Sequence, residues 1–90
     1  MSVRIGPHEF NHVRYDERGD VLYLAIDEPR EASDSLLTPE GHVVRYDDGN
    51  AVIGVTLINA KWLYERDGQL VITFPGPVEA RRSDLELAFG

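Results

Sequence analysis

The sequence predicts a mainly β fold: an antiparallel meander of about six strands in hairpins, with a short C-terminal helix packed on the sheet. Three observations predict it. Short apolar runs alternate with polar residues and are bounded by Gly, Asp, Asn or Pro. The tetrad VRYD, followed by a polar turn and an apolar strand, occurs at Val13–Asp16 and again at Val44–Asp47. A looser version of the same grammar, LY-ERDG-QLVITF, runs from Leu63 to Phe74.

Taken in order, residues 1–9 carry Gly6-Pro7 and no clear periodicity, which reads as a mobile arm or short edge segment. Phe10 to Asp16 alternates, with Val13 and Tyr15 on one face and Arg14 and Asp16 on the other, as a half-buried strand does. Glu17-Arg18-Gly19-Asp20 supplies the turn, and Val21 to Ile26 is apolar enough to want cover on both faces. Pro29 interrupts the pattern, and Ser33 to Thr38 reads as a short edge strand or extended connection. His42 to Asp47 repeats the first strand, Asp48-Gly49-Asn50 turns, and Ala51 to Ile58 follows with Gly54 inside it, a sign of a bulge or close backbone approach.

Lys61 to Glu65 reads as a strand leading into an Asp67-Gly68 hairpin turn and a partner strand from Gln69 to Phe74, stopped by Pro75-Gly76-Pro77. The tail over 78–90 alternates Leu85, Leu87 and Phe89 like a strand. Ser83-Asp84-Leu85-Glu86 nevertheless has capping-box form, so 83–89 reads as the short helix.

Ninety residues imply one small domain: the arm at 1–9, a hairpin core over 10–74 and the C-terminal segment over 78–90. A chain this short buries only roughly two thirds of its unfolded surface, which motivates the expectation of a homodimer. Without cysteine there is neither a disulfide framework nor a thiolate metal site. The first twenty residues lack the apolar core of a secretory signal, and no run reaches the ~18 apolar residues of a spanning helix, so we expect a soluble, cytoplasmic protein with no membrane partner. The net charge of −7 opposes a phosphate backbone, which argues against nucleic acid and fits a protein partner with a basic surface.

The VRYD repeat has two readings: duplication of a structural unit, or hairpins reusing the same few residues because the physics is the same. Tyr15-Asp16, Asp20 and Leu22-Tyr23, followed by Asp47, Gly49, Gly54 and Asn59-Ala60, resemble the bacterial family called domain of unknown function 2283, over about Tyr15 to Ala60. Members of that family are β-rich, and some lie beside toxin genes, so the resemblance implies an antitoxin-like role. The chain departs from the pattern at two places: Thr56 stands where the family usually has glutamate, and Arg45 where it often has aspartate.

The acids are the only plentiful reactive groups. If the repeats packed symmetrically, Asp16 and Asp47 could approach and bind a hard cation; the competing reading is that each closes its own turn. His8 and His12 lack a third ligand and read as surface residues. Tyr15, Tyr23, Tyr46 and Tyr64 read as core or interface filler rather than a base-stacking surface. No serine sits in a nucleophile elbow, so an enzyme is not expected and no cofactor is implied. The expected function is a non-enzymatic protein-interaction module with Trp62, Tyr64 and Phe74 as the candidate interface; the alternative is a small-ligand or divalent-metal-binding β domain using the turn aspartates.

Overall fold

Val21–Ala25, the apolar strand after the first turn, is central and paired along both edges. Only Leu22 and Leu24 are buried, while Val21, Tyr23 and Ala25 are half-buried, so the expected cover on both faces is not found. A computed structural model describes residues 2–28, 30–74 and 76–79, the last six of these as backbone only. The described strands are β1 (Val3–Ile5), β2 (His8–Phe10), β3 (His12–Asp16), β4 (Val21–Ala25), β5 (Asp34–Leu37), β6 (Val43–Tyr46), β7 (Val52–Ile58), β8 (Val71–Phe74) and β9 (Gly76–Glu79). One helix, α1, spans Ala60–Asp67 between β7 and β8. β3 to β7 form one antiparallel sheet in the order β3-β4-β7-β6-β5, while β1-β2 and β8-β9 are separate hairpins.

The repeat has a structural meaning. Val13 and Val44 differ by 31 positions, and so do Leu24 and Val55, which face each other where β4 meets β7. The row across the sheet reads Val13–Leu24–Val55–Val44, which is its own inverse under that offset. The hairpins β3-β4 and β6-β7 are therefore related by an approximate two-fold through the Leu24–Val55 pair. A register shift between Arg45 and Tyr46 interrupts it on β6.

Alternation puts Val13, Tyr15, Leu22, Leu24, Val44, Val55 and Leu57 on one sheet face, and that face is the core. Val3, Ile5 and Phe10 from the N-terminal hairpin, Ala60 and Tyr64 from α1, and Leu70 and Ile72 close it. Burying such side chains stabilises the fold by roughly 1.5–3 kcal/mol each.

Two further expectations need correction. Residues 2–9 are no mobile arm: Val3 and Ile5 are fully buried, and Gly6-Pro7 is the turn between β1 and β2. Gly6 takes φ 59°, the left-handed conformation that lets the pair turn the chain from β1 into β2. Lys61 to Glu65 is helix, not strand. Asn59 takes the left-handed conformation and turns the chain out of β7, and Gly68 ends the helix at φ 75°, its N–H donating to Tyr64 O at 2.7 Å. The Asp67-Gly68 pair is a helix C-terminus, not a hairpin turn. The helix expected over 83–89 lies outside the described residues. No described helix is long and apolar enough to cross a membrane.

Candidate functional site

The turn aspartates, Asp16 and Asp47, are both engaged by their own loops. Asp16 Oδ1 accepts from the backbone N–H groups of Arg18 and Gly19, at 3.2 and 3.5 Å. Asp47 Oδ1 accepts from Gly49 and Ala51, at 2.9 and 3.0 Å. Each closes its own turn. Asp16 pairs with Val21, which sits opposite Ile58, whereas Asp47 follows Tyr46, which sits opposite Val52. The two carboxylates thus lie at opposite ends of the sheet, Asp16 at the end of β3 and Asp47 just past β6, and the two-fold that relates the hairpins is what separates them. Among the described residues no three His, Asp or Glu side chains gather into a metal-ligand group.

Asp20 does something else. Its left-handed backbone (φ 54°) turns its carboxylate toward α1, where Oδ1 accepts from Lys61 N–H at 2.8 Å and Oδ2 from Trp62 N–H at 3.0 Å. Asp20 O also accepts from Ala60 N–H at 3.0 Å. Three of the four amides that a helix leaves unpaired at its start are thus satisfied by one residue of a distant hairpin. Asn59, in the N-cap position, makes no side-chain cap bond.

Tyr15 completes the arrangement by donating its OH to Asp20 Oδ1 at 2.7 Å. Burial alone would raise the Asp20 carboxyl, but the bonds from Tyr15, Lys61 and Trp62 outweigh it and hold it below the usual range. Burial, then the bond to Asp20 and its charge, push the Tyr15 phenol up to about 12. The Tyr15–Asp20 pair is a structural joint whose acceptors are already engaged.

The sheet face opposite the core is different. Arg14, Tyr23, Thr56 and Val43 form one row across it, and His12, Ala25, Gly54 and Arg45 the next. The Arg14 guanidinium carbon lies 4.3 Å from the Tyr23 ring centroid, a cation–π contact. Arg45 Nη2 donates to Thr56 Oγ1 at 2.8 Å. Arg45 and Thr56, the two positions at which the resemblance implied acidic residues, are therefore bonded to each other. A Cβ on Gly54 would stand 3.0 Å from Leu24 O, so the glycine lets β4 and β7 approach closely there, while the Arg45 stem would lie at an ordinary 4.0 Å. His12, Arg14, Tyr23, Ala25 and Arg45 line a shallow depression of about 410 Å³ on this face. Among the described residues neither arginine has a carboxylate within ion-pair distance; the described ion pairs are Arg4–Glu9, Arg30–Asp47 and Arg66–Asp67.

Of the candidate interface residues, Trp62 and Tyr64 do not share a surface. Trp62 is 57% exposed with Arg66 stacked 4.7 Å from its ring, whereas Tyr64 is buried in the core. The Phe74 side chain lies outside the described residues. Tyr15 and Tyr46 pack against the core, which leaves Tyr23 as the tyrosine of the open face. Arg14 escaped the sequence reading, although its alternation with Val13 and Tyr15, and its match to Arg45 in the repeat, were signals that could have found it.

No curated protein and no solved structure matches the chain. Residues 12–61 match the family described as Protein of unknown function (DUF2283), a span that opens on β3 and closes on Lys61, whose amide Asp20 caps. That span holds the whole five-stranded sheet and the joint between its first turn and α1, and over it the chain belongs to the DUF2283 family.

Proposed function

We propose that the protein is a non-enzymatic protein-interaction module, and that it associates with a second copy of itself through β5. The carrying observation is an apolar edge strand. β5 pairs with β6 on one side, and among the described residues no strand pairs with it on the other. Its residues are all exposed, with Leu36 at 57% and Leu37 at 74%.

An exposed edge invites strand addition, and natural sheets blunt such edges with charge, proline or cover. Here Asp34 supplies some blunting by accepting from Ser35 N–H at 2.8 Å, but two leucines occupy the remaining positions. Antiparallel pairing of β5 with its copy uses the same patch twice, as a two-fold dimer requires. With Leu36 opposite Leu36 of the second copy, Ser35 faces Leu37, Asp34 lies opposite Thr38, and no like charges are opposed.

Light scattering on the full chain at micromolar concentration tests the reading. The expected mass is about twice the 10.1 kDa chain, and Leu37→Lys returns it to the single-chain value. A wild-type mass of one chain, or a dimer indifferent to Leu37→Lys, overturns it.

A further inference from the structure

We infer that the open face of the sheet is an oxyanion site, built by Arg14 and Arg45 over the Tyr23–Thr56 pair. Tyr23 and Thr56 are direct cross-strand partners, which places their side chains about 4.5–5.5 Å apart at Cβ. One guanidinium rests on Tyr23 and the other is bonded to Thr56. Two cations that start on β3 and β6 thus reach inward to adjacent points above β4 and β7.

Among the described residues nothing acidic accounts for that convergence. In a chain of net charge −7, neither arginine has a described carboxylate partner, while the nearby Asp16 carboxylate is turned into its own loop. The floor is made of the small residues Ala25 and Gly54, and His12 adds a further nitrogen at the rim. Each guanidinium is held by one contact and keeps N–H donors for a ligand. Planar donor forks suit carboxylate and phosphate oxygens.

The ligand class is a small oxyanion. A polyanionic backbone is repelled by the rest of the surface, whereas a single phosphate or carboxylate group meets only the local field. The approximate two-fold brings Arg14 and Arg45 to the site from equivalent positions, so both sides of the ligand are gripped by the same residue type.

The test is a titration of the full chain, at constant ionic strength, with inorganic phosphate and separately with malonate, followed by amide and arginine side-chain NMR shifts. Saturable shifts centred on Arg14, Tyr23, Arg45 and Thr56 are expected, absent with chloride. Response to phosphate alone or to malonate alone identifies the oxyanion. Arg14→Gln and Arg45→Gln are each expected to weaken binding about tenfold or more. Arg45→Lys, which keeps charge but not the fork, serves if the glutamine variant fails to fold, and is expected to weaken binding as well. Non-saturating shifts with both anions, or folded variants that bind like wild type, overturn the assignment.

Discussion

Asp20 and Trp62 are 42 positions apart, yet the carboxylate of the first accepts from the backbone amide of the second at 3.0 Å. The first hairpin's turn and the start of α1 are joined there by one side chain. Asp20→Ala removes both carboxylate bonds and the Tyr15 acceptor. The expected loss is about 2 kcal/mol, within the range for helix caps and charged hydrogen bonds. Asp20→Asn tolerates the left-handed backbone and keeps an acceptor oxygen, so it is expected to lose less. Urea unfolding reads both, and equal midpoints for wild type and Asp20→Ala would show that the joint contributes nothing.

Tyr15→Phe deletes the phenol and leaves its ring in the core. A loss of about 1 kcal/mol is expected, and the Asp20 carboxyl moves up toward its ordinary value, because the Tyr15 bond is one of those holding it down. Carboxyl carbon shifts followed through acid titration measure that movement. The phenol also sets an alkaline limit. Its folded value of about 12 lies above its ordinary 10.0, so its contribution is complete below 10.0 and is lost as pH rises toward 12. The stability difference between wild type and Tyr15→Phe should shrink across that window.

His42 is buried, and its Nδ1 accepts from Ile58 N–H at 3.1 Å. Burial lowers its pKa below 6.5, against a smaller opposing effect of the Glu40 charge. The unfolded chain therefore takes up a proton at a pH where the folded chain does not. The stability contributed by neutral His42 is complete above 6.5 and is lost as pH falls from there toward the folded value. His8, also lowered by burial, adds to the same window. Thermal midpoints taken from about pH 7.5 to about pH 5.5 should fall, and His42→Gln should flatten the slope. An unchanged slope in that variant would assign the effect elsewhere.

Gly54→Ala places a methyl 3.0 Å from Leu24 O, a backbone atom that can move only with the strand. The expected cost is about 1–3 kcal/mol, as for overpacking elsewhere. The methyl would meet Arg45 Cδ only at 4.0 Å, an ordinary contact, so the arginine side-chain signals should stay near their wild-type positions while stability falls.

Local pattern made the sheet legible. Alternation around VRYD located β3, β4, β6 and β7, and the weaker 33–38 stretch proved to be the edge strand β5. What escaped was decided at a distance. Trp62, Leu63 and Tyr64 are at home in strands, and Asp67-Gly68 suits a hairpin turn as well as a helix end. The choice fell to helix where Asn59 turns the chain and Asp20 supplies acceptors from another hairpin, and neither fact is visible in the window 60–68. The opposite placement of Asp16 and Asp47 was likewise hidden, because the repeat shows that two hairpins are alike without saying how they are turned relative to each other.

The Asp20 cap has a temporal consequence. Eight residues are too few to hold a helix in isolation, since nucleation is costly and shorter helices are marginal in water. The acceptors that complete the first turn of α1 arrive only when β4 has found β7 and closed a long loop. Helix formation is then a late event slaved to sheet registration. Trp62, on the first turn of that helix, is placed to act as its fluorescent clock in refolding experiments.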